Sequence, residues 1–387
     1  MRIAIVTATR AEYGLLTPLI KRVASDEELE LELIVTGTHL SERFGNTIDE
    51  IIADDVTISY EIPILYDDNS PYGISMTMAN AIKGFAECFN NDRPDMVLIL
   101  GDRTEMLAVT AAAMNEQIPI AHIHGGEVTE GAVDDYVRHA ITKMSYLHFT
   151  SAEAYRNRVI QLGESPSRVF NVGGLGTENI LTQELYSEDV LLDRVPGLSA
   201  AGGRPYSVLT FHPVTLEDNT IREQVEALCS VLETRLDIFF IITAANADAG
   251  GSIVNEMLQE YSEKHQNASF SYNLGLKRYL SAVKHAAFVI GNSSSGILEA
   301  PVLGTPTVNI GDRQRGRLMA ETIINCEPNK QSILDAIEQA IHLPHISTHL
   351  YGDGHTSEKI ISTIKYFLFN NKINLKKGFY DINQCES

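Results

Sequence analysis

The run Asp95-Met96-Val97-Leu98-Ile99-Leu100 stops at Gly101-Asp102-Arg103, and Ile118 to His124 repeats the pattern before Gly125-Gly126-Glu127. Short, continuous apolar runs of this kind are what strands buried on both faces require. Between them Glu105 to Met114 carries a helical pattern, so the stretch reads strand, acidic turn, helix, strand, acidic turn. Parallel neighbours in a sheet are joined by such crossovers, and open α/β sheets bind ligands beyond the carboxyl ends of their strands. Asp102 and Glu127 are therefore expected at one sheet edge, facing one crevice.

Outward from this stretch the same unit recurs. Arg2 to Thr7 reads as a strand that runs into Ala8-Thr9-Arg10-Ala11-Glu12-Tyr13-Gly14 and a helix through Val23. No G-x-G-x-x-G is present. Arg10 supplies charge at the turn where a dinucleotide fold would supply glycines, or it is simply a surface arginine. Leu31 to Val35 and Ile58 to Ile64 read as strands, Leu40 to Asp54 and Tyr72 to Asn90 as helices, and Tyr146 to Thr150 and Val169 to Val172 as the last strands of this half. The Gly- and Pro-containing stretch from Ser187 to Tyr206 reads as a linker. A second βα series follows, with strands at Tyr206–Phe211, Asp237–Thr243, Ala287–Ile290 and Thr307–Ile310. The fold class is α/β, with two Rossmann-like domains, residues 1–190 and 205–356, and a C-terminal helix and tail, 357–387, expected to pack back on the first.

Composition narrows the function classes. A formal net charge of −21 argues against nonspecific binding to nucleic acid or to an anionic membrane surface. No apolar run approaches the roughly 18 residues of a membrane span, and the N-terminal Met1 to Val6 turns polar too early for a signal peptide. Cys88, Cys229, Cys326 and Cys385 form no C-x-x-C pair, so a cytoplasmic protein with structural thiols and no zinc site is expected.

Chemistry is concentrated at the predicted strand ends. Ile290-Gly291-Asn292-Ser293-Ser294-Ser295-Gly296-Ile297-Leu298-Glu299 empties a strand into small residues whose N–H groups and hydroxyls suit a phosphate, at the positive end of a helix. A capped helix start without a ligand has the same composition. Glu299, about one turn on, is placed to accept hydrogen bonds from ribose hydroxyls. His212, Asn246 and Arg313 follow other strands of this half and offer further donors. In the first half Asp102, Glu127, Asp134 and Asp135, with Arg138-His139, are the candidate acids and bases, because neighbouring carboxylates split their pKa values. Helix capping by Asp102 and solvation of Asp134 and Asp135 are the bland alternatives. His122 and His124 have a two-residue spacing that suits one face of a strand, but hydrogen bonding is favoured over metal ligation.

The chain resembles the hydrolysing UDP-N-acetylglucosamine 2-epimerases of bacterial sialic-acid and legionaminic-acid pathways. The matching runs are Arg10 to Gly14, Gly101-Asp102-Arg103, His124-Gly125-Gly126-Glu127, Arg138 to Lys143, His212-Pro213, Gly291 to Gly296 with Glu299, and Gly311-Asp312-Arg313-Gln314. The resemblance implies a glycosyltransferase-B-like fold with a central interdomain cleft, a homodimer or homotetramer, and neither metal nor nicotinamide cofactor. It implies anti elimination of UDP to a 2-acetamidoglycal and then hydration, giving N-acetylmannosamine and UDP. Asp102, Glu127 and one of Asp134 or Asp135 would be the acid and base groups, His212 and Arg10 would assist the diphosphate, and Arg103 and Asn246 would be among the groups that bind the UDP-sugar. Ser293, Ser294 and Arg313 would bind it, and Glu299 would hold the ribose. The rival readings are the same chemistry on a UDP-2,4-diacetamido-2,4,6-trideoxy sugar, a non-hydrolysing epimerase, a UDP-sugar glycosyltransferase, and a silent nucleotide-sugar sensor.

Overall fold

Apolar strands with polar ends assemble into two parallel sheets. The computed structural model describes residues 1–68, 70–128, 133–213, 221–245 and 250–382. Contacts divide it into two units, residues 1–179 with 351–387, and residues 180–350.

The first unit holds β1 (Arg2–Thr7), β2 (Glu30–Thr36), β3 (Tyr60–Ile62), β4 (Met96–Leu100), β5 (Ile120–Ile123), β6 (Leu147–Thr150) and β7 (Val169–Asn171). They run parallel in the order β3-β2-β1-β4-β5-β6-β7. Every residue of β4 and β5 is buried, which explains their unbroken apolar runs. The order reverses between β1 and β4, the place where ligands of such sheets bind. Asp102 therefore follows one of the two strands at the reversal. The helix Thr356–Phe369 belongs to this unit: Ile360, Ile364 and Phe367 join the core around Leu16, Leu19 and Val23. Its first turn is capped by Glu178, whose carboxylate accepts the Ser357 N–H at 2.7 Å. Further on, the Lys377 ammonium reaches the buried Glu164 carboxylate at 2.9 Å and ties down the chain after that helix.

The second unit holds β8 (Tyr206–Thr210), β9 (Phe239–Thr243), β10 (Ala268–Ser271), β11 (Phe288–Gly291), β12 (Thr307–Ile310) and β13 (Ile323–Cys326), in the order β10-β9-β8-β11-β12-β13. This repeats the Rossmann order, and the reversal falls between β8 and β11. His212 and Asn292 follow the two strands that flank it.

Three local readings change. The helix expected over Leu40 to Asp54 is two short 3-10 turns, Gly37–Leu40 and Glu42–Phe44, before a helix at Ile48–Ala53, because Ser41 is extended between the turns. The linker stretch is packed: helix Glu188–Arg194 and the turn Leu198–Ala201 bury Leu191, Val195 and Leu198, and the units divide after Asn179 instead. Glycine and proline there shape turns without marking a boundary. The edge strands β10 and β13 are additional, being four residues each and only partly buried.

Candidate active site

In the first unit one arginine gathers the acidic turns. Arg138, on the helix Val133–Met144, is buried with 4% of its side chain exposed. It donates to the Asp102 carboxylate through one amino group. Through the other it donates to Asp135 at 2.6 Å and to the main-chain carbonyl of Glu127 at 2.7 Å. A fork of fixed donors can hold several acceptors at once, which a lysine would not do as well. The turns after β4 and β5 are thus fastened to each other through a third element. Arg158 adds a bond to the Gly126 carbonyl at 2.5 Å. Gly126 has φ +81°, and a Cβ there would lie 2.4 Å from the Tyr155 carbonyl oxygen, so the turn admits no side chain.

Histidines fix the orientation of both turns. His122 lies in β5, fully buried, with Nε2 2.7 Å from the Gly101 carbonyl and Nδ1 3.1 Å from the Thr142 hydroxyl. Burial drives its pKa down to about 3, so the ring is neutral. Since a carbonyl only accepts, Nε2 carries the hydrogen. His124 has φ +65°, a backbone state uncommon for a side-chain-bearing residue and one that clusters at functional sites. Its Nε2 accepts the Leu175 N–H at 3.3 Å, which leaves Nδ1 facing the Glu127 carboxylate at 3.7 Å. The same Glu127 oxygen accepts from the Ser151 hydroxyl at 2.6 Å. Because His124 turns out of the strand, the two histidines do not present one face, and among the described residues no group of three or more His, Cys, Asp or Glu is placed to hold a metal.

The remaining carboxylates separate. Asp135 is engaged by Arg138, whereas Asp134 has a pKa raised by burial first and by the Asp102 charge second. Arg103 pairs with Glu105 at 2.9 Å. Arg10 opens the helix Arg10–Ala24 and reaches Glu50 at 3.0 Å in an exposed pair. Glu12, in the same turn, accepts from the Ala8 and Thr9 N–H groups at 2.9 and 3.1 Å, and burial raises its pKa to about 7.

In the second unit the strand ends are joined through Asn292. The Asn292 side chain accepts the His212 N–H at 2.7 Å and returns a bond to the His212 carbonyl at 2.8 Å. Its main-chain carbonyl accepts from Arg313 at 3.2 Å and from Gln314 at 2.9 Å. Gly291 is obligatory before it, since a Cβ there would lie 1.9 Å from the Thr210 carbonyl oxygen. Ser293 and Ser294 follow, both half-buried, and Ser295 joins Tyr279 at 2.7 Å and the Glu299 carboxylate. Burial raises the pKa of Glu299. Beyond β11, β12 and β13 lies a cavity of about 690 Å³, lined by Asn292, Gly311, Asp312, Arg315, Arg317 and Ser332 among others, within the range of ligand pockets.

Residues 21–365 match the family described as UDP-N-acetylglucosamine 2-epimerase. The chain belongs to that family. It is similar to the GDP/UDP-N,N'-diacetylbacillosamine 2-epimerase (hydrolyzing) of Campylobacter jejuni, 42% identical over 85% of each chain. It is also similar to the polysialic acid biosynthesis protein P7 of Escherichia coli, 36% identical over 99% of this chain and 98% of that one. Among solved structures, the UDP-GlcNAc 2-epimerase of Neisseria meningitidis bound to UDP-GlcNAc superposes with a TM-score of 0.74 over 95% of this chain and all of that one. At 18% identity that likeness speaks to the fold alone.

Within this 2-epimerase, Asp102, Glu127 and Asp135 are brought together through Arg138, and Asp134 feels the Asp102 charge. His212 and Arg313 meet at Asn292, next to Ser293 and Ser294. Arg10 and Arg103 are each held by a glutamate on their own unit, and Asn246 lies outside the described residues. Reading the sequence singled out neither Arg138 as the fastening group nor Asn292 as the hinge of the second site. An arginine three residues after an aspartate on a helix, and an asparagine between a strand glycine and a serine run, were the available signals.

Proposed function

We propose that this chain is a hydrolysing 2-epimerase of a UDP-2-acetamido sugar, acting by elimination and hydration. UDP-N-acetylglucosamine is the substrate of this reading, with N-acetylmannosamine and UDP as products that supply a sialic-type acid. The observation that carries it is the fastening of the Asp102 and Glu127 turns and Asp135 by one buried arginine, which concentrates carboxylates where a sugar would react. In the elimination, the Asp102 carboxylate takes the proton from C2, the electron pair forms the C1–C2 double bond, and UDP departs from C1 with its bonding pair. Donors of the second unit, Ser293, Ser294, Arg313 and His212, receive the diphosphate charge, and Glu299 accepts from the ribose. In the hydration, Glu127 takes a proton from water as its oxygen bonds C1, and C2 receives a proton on the opposite face. Asp134, whose pKa is raised by burial and by the Asp102 charge, is the donor in this reading. Asp135 is then a positioning group for Arg138.

A second substrate reading, the UDP-2,4-diacetamido-2,4,6-trideoxy sugar, is favoured by the 42% identity to the Campylobacter enzyme. A cytoplasmic homo-oligomer completes the proposal; Cys88, Cys229 and Cys326 are free thiols, as suits a reducing compartment. Among the described residues no helix is long and apolar enough to cross a membrane. Incubation with UDP-N-acetylglucosamine in D2O without acceptor tests the reaction: UDP and N-acetylmannosamine carrying one deuterium at C2 are expected. UDP formed only with an added acceptor sugar, or a product still bearing UDP, would overturn it.

A further inference from the structure

At the amino ends of β5 and β6, the edge of the first unit's sheet opposite Asp102 and Glu127, lies a cavity of about 380 Å³. Its size is within the range of small-molecule pockets. Ile118, Ile120 and Tyr146 are its buried lining, and Met114 and Leu375 its open lining, 46% and 44% exposed. The only charged side chains among its lining residues are Lys143 and Lys377. In a chain whose acids outnumber its bases by 51 to 30, a concavity lined by cations alone is a local reversal of charge.

The two lysines share one buried carboxylate. Glu164 accepts from Lys143 at 2.5 Å and from Lys377 at 2.9 Å, and its second oxygen lies 3.6 Å from Arg168. Burial alone would raise its pKa, yet hydrogen bonds from His148, Lys143 and Lys377 bring it down to about 2, so it is fully ionised. Among the described residues it is the one carboxylate that pairs with any of these three cations, which leaves two positive charges in surplus. Arg168 shows the deficit directly. Its guanidinium lies 5.2 Å over the ring of Tyr146, a lining residue, and its Nε and one amino group are buried without a hydrogen-bond partner. Buried cations short of acceptors are costly, and an anion in the cavity offsets that cost.

The chain after the helix Thr356–Phe369 completes the cavity and is tied down along it. The Tyr146 hydroxyl donates to the Lys372 carbonyl at 3.0 Å and accepts the Asn374 N–H at 3.1 Å, and Lys377 donates to the Ser145 carbonyl at 2.7 Å. Further on, the Tyr380 N–H donates to the Gly163 carbonyl at 2.9 Å, and the Phe379 ring lies 5.0 Å from the Lys143 ammonium. We propose that this cavity is a second ligand site, apart from the 2-epimerase site, that takes a small phosphate monoester with an apolar body. The dianionic head answers the surplus of two positive charges, which a carboxylate would only halve, and it accepts from Lys143 and Lys377. The body covers Ile118, Tyr146 and Leu375, and its burial adds to what the charges supply.

Calorimetric titration of phenyl phosphate into the full-length chain, with and without excess UDP, tests this. Binding with a Kd of about 1 mM or tighter is expected in both conditions. Inorganic phosphate, which lacks the body, and phenol, which lacks the charge, are each expected to bind roughly tenfold or more weakly. Lys143→Gln should weaken phenyl phosphate by roughly tenfold or more. Met114→Glu, which brings a carboxylate to the open lining, should do the same, whereas the neutral Met114→Gln should stay near wild type. All three change exposed side chains, and circular dichroism checks that they fold. Hydrogen exchange across residues 370–380 should slow with phenyl phosphate in wild type and not in Lys143→Gln. Absence of binding, binding that survives both Lys143→Gln and Met114→Glu, or binding that UDP displaces overturns the inference and leaves the 2-epimerase reading intact. Equal affinity for inorganic phosphate also overturns it, since the apolar lining then takes no part.

Discussion

The two units repeat one strand order, yet their reversal points are furnished in opposite ways. In the first, charge meets charge: Arg138 binds Asp102 and Asp135. In the second, an asparagine, a glycine and serines join the strands, and the nearby carboxylate of Glu299 is drawn toward its neutral form by burial. Paired charges held by a rigid fork supply proton acceptors in fixed positions, whereas neutral donors around an approachable backbone suit an anion that must be held and released. Under the proposed function, one fold separates reacting from holding by which side chains follow its strands.

The largest effects test the reacting side. Asp102→Asn is expected to lower kcat by roughly 10²- to 10⁴-fold, the usual scale for a general base, in an assay of UDP release. Glu127→Gln is expected to lower it on the same scale but to let 2-acetamidoglycal escape with UDP, detectable by NMR, because elimination outruns hydration. If both variants stop before the glycal, the division of roles between them is wrong.

Arg138→Leu sharpens the comparison by removing the fastening group while keeping bulk. With the Asp102 and Asp135 carboxylates left beside an apolar side chain, stability should fall by about 3 kcal/mol, and kcat with it. A urea melt that matches wild type would show that the acidic turns hold themselves.

Glu299→Ala probes the holding side. Loss of this buried hydrogen-bond acceptor leaves its donors unpaired at about 1–3 kcal/mol, so KM for the sugar nucleotide should rise by roughly 5- to 100-fold with kcat little changed. A fall in kcat at constant KM would put Glu299 among the reacting groups.

The smallest effect concerns Glu12, at the turn after β1. Its pKa is raised from 4.5 to about 7 by burial, so the folded state holds this proton more tightly than the unfolded chain. The stability it contributes is full below about pH 4.5 and is lost as pH rises through about 7. Thermal melts of wild type should therefore decline across that window relative to Glu12→Gln. Parallel curves would contradict the buried, protonated carboxyl.

Much of this was legible in the sequence for a physical reason. A parallel strand buried on both faces writes itself as an apolar run, and the polar residue after it marks the binding edge, so Asp102, Glu127, His212 and the serine run could be placed on strand ends. What could not be read was pairing between distant elements. Arg138 sits 36 residues from Asp102, and only the folded helix brings its fork to the acidic turn. The packed helix Glu188–Arg194 was hidden because local glycine and proline outweighed the single apolar residue, Leu191, that it buries.

The separation of holding from reacting is tested most directly by calorimetric titration of UDP into wild type, Asp102→Asn and Glu299→Ala. The account predicts that Asp102→Asn binds UDP within about threefold of wild type, and that Glu299→Ala binds roughly tenfold or more weakly. UDP affinity that collapses in Asp102→Asn and survives in Glu299→Ala would contradict it.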